Sequence, residues 1–174
     1  MIAAWEAGVR FVEKVVKAPI PEPVDIVVTS CAGYPLDTTW YQAVKGLTGA
    51  LSIVKQGGTI LLAASLSEGL GSHEFQEMLG KSRYMRKHGA APDNKAMAAF
   101  CEMDEWQLVM FSKVMARCKV KVVSDGLSPE TLRRCLVEPA SSVEAAVAEC
   151  LAEYGAEAKI AVIPKGPYVM PCVG

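Results

Sequence analysis

A chain of 174 residues, 51% hydrophobic and 21% charged, has room for one domain with a short appendage and a sizeable core. Its net charge of −1 lacks the basic footprint of nucleic-acid or membrane-surface binding. No signal peptide opens it and no apolar run is long enough to span a bilayer, so a cytoplasmic protein that uses neither nucleic acid nor membrane is expected.

The elements follow in chain order. Trp5, Val9, Val12 and Val16 recur at helical steps, so residues 3 to 17 read as a helix. No cap precedes that helix, which suggests a chain taken from a longer protein. Pro19, Pro21 and Pro23 then make residues 18–23 a stiff, extended linker. Residues 1–23 are therefore expected to be a helix and linker from a preceding domain, and residues 24–174 a C-terminal α/β domain. Strand one is expected at 24–30 and a helix at 38–54, with Asp37 as its N-cap. Gly57-Gly58 reads as a turn into strand two, 59–65. A loop at 67–72 leads to a short helix at 73–80, and residues 81–103 are basic and then helical. Asp104 reads as the cap of a helix to 116, with strand three at 119–124. Ser128-Pro129-Glu130 starts a short helix with Pro at its first position. Ser141-x-x-Glu144 reads as a capping box for a helix ending at Gly155, before strand four at 159–164. Strands alternating with helices predict a Rossmann-like fold, with a mainly parallel sheet of about four strands covered by helices on both faces.

Cysteines 31, 101, 118, 135, 150 and 172 include no Cys-x-x-Cys pair. They read as reduced, mostly buried thiols. Cys31 ends the first strand beside the candidate site, but no neighbouring His would activate it, so it reads as a small core residue. Neither His73 nor His88 has a partner at metal-ligand spacing, and no metal site is expected from this chain.

The stretch Gly33-Tyr34-Pro35-Leu36-Asp37 lies between a strand end and a helix start, where open α/β sheets bind ligands. At about 100° per residue, Trp40, Val44, Leu47, Leu51 and Val54 share the side that must face the sheet. Tyr41, Gln42 and Lys45 share the other. Such a trio is either a solvated face or a grip for a small hydroxy or keto acid. Lys45 would supply a cation, Gln42 amide hydrogen bonds and Tyr41 a ring and a hydroxyl. In a parallel sheet the helix N-termini gather at the carboxyl edge, so Trp106 can reach the same rim, either as a core wedge or as a pocket wall. Gly69-Leu70-Gly71 lacks the third glycine of a dinucleotide loop and reads as a flexible loop or lid. Lys81, Arg83, Arg86 and Lys87 read as a solvated basic face.

These motifs together resemble the C-terminal domain of the lactate racemase family, which uses a nickel-pincer nucleotide. The resemblance rests on Gly33-Tyr34-Pro35-Leu36-Asp37, Tyr41-Gln42-x-x-Lys45, Gly57-Gly58-Thr59-Ile60 and Glu68-Gly69-x-Gly71. It continues through Asp104-x-Trp106-Gln107, the strand 120–124, Pro139-Ala140 and Ile163-Pro164-x-Gly166. Residues 81–103 and the tail depart from the pattern. The resemblance implies an isomerase with its active site between two domains. The metal ligand, the cofactor-tethering lysine and the acid/base histidines would lie in an N-terminal domain. The cofactor would take a hydride from a 2-hydroxy acid and return it to either face. Tyr41, Gln42, Lys45 and Trp106 would be this domain's site residues, with Tyr41 and Lys45 also contacting the cofactor. The fragment alone would be inactive. Two other readings stay open: a Rossmann-like nucleotide-binding domain of a dehydrogenase, and a non-enzymatic α/β interaction module.

Overall fold

The computed structural model describes residues 1–87 and 104–174, and the side chains of 1–80 and 104–174. Two parallel sheets form. The larger runs β2 (Val24–Ser30), β3 (Val54–Ala63), β4 (Lys119–Val123), β5 (Glu138–Pro139) and β6 (Ile160–Ile163), in the spatial order β5-β4-β3-β2-β6. The smaller pairs β1 (Lys17–Ile20) with β7 (Met170–Val173). Among the described residues five helices join the larger sheet's strands: α2 (Trp40–Ala50), α3 (His73–Lys87), α4 (Glu105–Arg117), α5 (Pro129–Arg134) and α6 (Val143–Tyr154). The helix α1 (Ile2–Val16) precedes them, and a 3₁₀ turn (Gly166–Tyr168) leads into β7. The Rossmann-like class holds, with five strands in the main sheet where four were expected. The extra one, β5, is two residues long, too short to show a period.

Side-chain alternation divides the sheet. Val27, Ile60, Leu62, Val120 and Val122 face one way and join Trp40, Val44, Leu47, Phe75, Phe111 and Val114 in the main core beneath α2, α3 and α4. Ile26, Thr59 and Leu61 face the other way. There α6 covers them with Ala146 and Cys150, and the Tyr154 hydroxyl lies 2.8 Å from Thr59 Oγ1. Lys119 and Lys121 on that face pair with Glu153 and Glu149 of α6.

Several local expectations change. Thr39, not Asp37, caps α2: its side chain accepts from Gln42 N, while Asp37 Oδ2 accepts from Ser65 N at 3.1 Å. The helix ends at Ala50, and β3 starts at Val54 rather than 59. Gly57-Gly58 is therefore a bulge within the strand, with the register jumping between Val24↔Val54 and Ile26↔Thr59. Gly57 takes φ +79, and a Cβ on Gly58 would stand 2.6 Å from Asp25 O, so the pair can only be glycine-like. Ser142 rather than Ser141 caps α6, accepting from Ala145 N at 3.0 Å, so the expected box does not form. Of the expected extended linker at 18–23, only the part up to Ile20 is extended strand; the chain bends at Pro21 and Glu22, and Lys17–Ile20 pairs with the C-terminal strand instead of only linking. The helix expected in 88–103 lies outside the described residues, as does Cys101. The side chains of the basic cluster at 81–87 lie outside them too.

Candidate functional site

The site begins where β2 ends. Ala32 and Gly33 both take positive φ (67° and 79°), which swings the chain out over the sheet edge before Thr39 starts α2. The first free N–H groups of that helix are then occupied. Trp40 N donates to Gly69 O (2.9 Å), Tyr41 N to Leu70 O (3.1 Å) and Gln42 N to Thr39 Oγ1 (3.3 Å). A helix start often serves as an anion site. Here the loop after β3 and the Thr39 hydroxyl occupy those N–H groups, so this helix start is not open to an anion.

The same bonds correct the reading of Gly69-Leu70-Gly71 as a flexible loop or lid. Three backbone hydrogen bonds hold residues 67–72 to the 38–41 segment, the two above and Glu68 N to Thr38 O (2.7 Å), and just ahead of the loop Leu66 N donates to Asp37 O (2.8 Å). Gly71, at φ +114, passes so near the helix that a Cβ would stand 2.7 Å from Tyr41 Cβ.

The two faces of α2 divide as the 100° steps predict. Trp40, Val44 and Leu47 are fully buried, and Trp40 meets Phe111 of α4 edge to face at 5.5 Å. Tyr41, Gln42 and Lys45 are half-buried on the other side. Lys45 Nζ donates to Gln42 Oε1 at 2.6 Å and lies 5.8 Å from the Tyr41 ring centroid and 5.9 Å from that of Trp106. The two rings meet edge to face at 6.2 Å. Trp106 is 52% exposed, so it is not a core wedge. All four expected residues thus share one small box with a cation over two aromatic faces. Among the described residues no carboxylate lies within ion-pair distance of Lys45.

Two residues behind the box carry more than the sequence indicated. Gln107, 1% exposed, donates from Nε2 to Tyr41 O at 2.6 Å, and its buried Oε1 has no hydrogen-bond partner among the described residues. Asp104 occupies the N-cap position of α4 but makes no cap bond; its Oδ2 accepts from Ser72 Oγ at 2.8 Å. Both belong to the Asp104-x-Trp106-Gln107 run, and that run was the one available signal for them. Cys31 is buried under α2 with Sγ 3.4 Å from Ala43 O, and burial pushes its thiol up to about 12. It is a core residue, protonated at neutral pH. Among the described residues no three His, Cys, Asp or Glu side chains converge as a metal site, and no helix is long and apolar enough to cross a membrane.

A family model described as the lactate racemase C-terminal domain matches residues 20–170, which hold the whole box. The chain belongs to the lactate racemase C-terminal domain family. It is 31% identical over 170 residues to the lactate racemase of Lactiplantibacillus plantarum, covering 95% of this chain and 39% of that protein. It is 29% identical over 167 residues to the lactate racemase of Thermoanaerobacterium thermosaccharolyticum, covering 94% and 38%. The lactate racemase apoprotein structure from the latter organism superposes with a TM-score of 0.80 at 29% identity, covering 97% of this chain and 40% of that one. A Thermotoga maritima protein shares the fold, with a TM-score of 0.62 at 11% identity. This family member therefore spans about two fifths of the length of the curated relatives it matches, and α1 lies ahead of the family-model boundary at residue 20.

Proposed function

We propose that this domain is the substrate-positioning part of a lactate racemase-like isomerase that racemises or epimerises a small 2-hydroxy acid. The observation that carries the reading is Lys45 Nζ, held over the Tyr41 and Trp106 rings with no carboxylate beside it among the described residues. A carboxylate ligand would complete that cation, and the aromatic walls would exclude water and strengthen the pair. Gln42 fixes the ammonium by accepting one of its protons, leaving the others to point at a ligand. This is orientation work: a carboxylate pinned at one point, on residues set by a rigid helix, presents its reacting carbon in a fixed place.

A nickel-pincer nucleotide, when bound, would supply the hydride acceptor. The residues present fit its non-metal parts: a cation for an anionic group and two ring faces for a flat one. Tyr41 and Lys45 would make those contacts. Ligation of the metal and transfer of the hydroxyl proton fall to the rest of the enzyme, an N-terminal domain of the same protein. In this reading α1 is an element of that domain. None of its residues is buried, and Trp5, Val9, Val12 and Val16 line an open apolar groove with Met170. The described cysteines carry free thiols, which fits a cytoplasmic setting.

The test joins this chain to a cofactor-bearing N-terminal domain and follows the interconversion of D- and L-lactate and longer 2-hydroxy acids. Turnover of at least one is expected from the joined enzyme and none from this chain alone. Turnover by this chain alone, or none from a joined and cofactor-loaded enzyme, would contradict the proposal.

A further inference from the structure

Lys17, Lys55, Lys119, Lys121 and Lys159 all stand in ion pairs. Lys45 and Lys165 do not: among the described residues neither has a carboxylate within ion-pair distance. They lie 120 positions apart in the chain, and a seam of glycines brings their backbones together.

The turn after β6 is wedged between the end of β2 and the middle of α2. Ser30 Oγ donates to Pro164 O at 2.5 Å. A Cβ on Gly166 would stand 2.4 Å from Ser30 O, 2.6 Å from Thr29 Oγ1 and 3.5 Å from Gly46 Cα. One on Gly49 would stand 3.2 Å from Gly166 O. Glycine weakens a helix interior, and α2 carries it at both 46 and 49. There the missing side chains admit the turn. Gly46 directly follows Lys45, and Gly49 lies one helical turn beyond it on the same stripe. Tyr41 lies one turn before it. The turn therefore borders Lys45 from the end opposite Tyr41 and Trp106.

Chain geometry bounds the distance that results. Lys165 precedes Gly166 and Lys45 precedes Gly46, so the two lysine Cα atoms are at most about 13 Å apart. Two long, flexible side chains can meet one small ligand across such a gap. Lys165 is exposed and fills the open position of the Ile163-Pro164-x-Gly166 run. Two cations this close repel each other, and the described protein neutralises neither. A ligand with one carboxylate answers one of them.

We propose that Lys165 is a second anion contact beside Lys45, so that the site favours a ligand with two anionic groups over one with a single group. This rests on reading the Tyr41–Lys45–Trp106 box as the ligand site. The second group is a further carboxylate on a 2-hydroxy acid, as in malate, or the phosphate of a nucleotide. A neutral substituent would meet only a hydrated ammonium and gain nothing there.

The test is ligand binding to this chain, followed by nuclear magnetic resonance of its backbone and indole N–H groups. Lactate, malate and nicotinamide mononucleotide are the separate probes. The two hydroxy acids share one carboxylate and differ by the second, while the mononucleotide brings a phosphate and a flat ring. Lys165→Met keeps most of the apolar stem and removes the charge. It is expected to weaken malate, the mononucleotide or both about fivefold and to leave lactate unchanged. A loss for malate alone assigns the contact to the substrate, and a loss for the mononucleotide alone assigns it to a phosphate. No loss for either, an equal loss for lactate, or no binding of malate or the mononucleotide to the unaltered chain overturns the proposal. Lys45→Met separates this from the box reading, which expects that variant to weaken lactate and malate alike. If lactate binding survives Lys45→Met while Lys165→Met weakens malate, the box reading fails and the Lys165 contact stands. The reverse pattern removes the Lys165 contact and keeps the box.

Discussion

The two faces of α2 share eleven residues and one backbone, yet they do different work. The inner face, Trp40, Val44 and Leu47, is fully buried and bound to the sheet and α4. The outer face, Tyr41, Gln42 and Lys45, is half-buried, polar, and closed by a tryptophan from another helix. Stability should be concentrated on the first and ligand binding on the second. The helix is useful because the inner face makes the outer one rigid.

The sharpest break in that division would come from Trp40→Ala. Removing the largest fully buried side chain should cost about 3–5 kcal/mol, read from chemical denaturation, and a cost under about 1 kcal/mol would show that the inner face does not anchor the helix. Gly71→Ala comes next. It forces a Cβ against Tyr41 at a φ that L-residues rarely adopt, so a loss of about 1–3 kcal/mol is expected, with a change in the near-ultraviolet signal of Trp106. Gln107→Met lies between the faces. It removes the bond to Tyr41 O but also a buried acceptor with no partner among the described residues, so stability should change by less than about 1 kcal/mol. Any larger loss would make Gln107 a structural post.

The smallest effect is electrostatic and far from the box. Asp25 accepts from Lys55 Nζ at 2.7 Å and from Lys159 N at 2.9 Å, and these bonds, Lys55 first, lower its carboxyl below the usual range. The unfolded carboxyl titrates near pH 4, so this contribution is present above about pH 4 and is lost as pH falls through the lowered folded value. Asp25→Asn should flatten the acid limb of a melting-temperature profile and leave neutral-pH binding at the box unchanged.

Much of this division could be read from the chain. The 100° steps placed Trp40 and Val44 inward and Tyr41, Gln42 and Lys45 outward, because helix geometry is local. The alternating order brought Trp106 to the same rim, because parallel sheets gather helix starts at one edge. What escaped depended on distant partners. Asp37 and Thr39 are both plausible caps, and only the approach of Ser65 decides between them. The loop at 67–72 looked free because the N–H groups it satisfies belong to another element. Lys17–Ile20 looked like a linker because its pairing partner comes at the far end of the chain. Gln107 and Asp104 were part of a quoted motif, but their bonds to Tyr41 O and Ser72 exist only once α2, α3 and α4 have packed. Trp5, Val9, Val12 and Val16 showed their helical period correctly, and their face still finds no cover among the described residues.

The central claim is that the outer face of α2 grips the substrate without holding the fold together. The measurement that tests it most directly is kcat/KM for a 2-hydroxy acid in the joined enzyme with Lys45→Ala, taken beside its unfolding free energy. The account predicts a fall of about two orders of magnitude in kcat/KM, the size expected when one partner of a desolvated charge pair is removed. It also predicts a change within about 0.5 kcal/mol in stability. Unchanged kcat/KM, or a loss of activity that merely tracks a loss of folding, would contradict it.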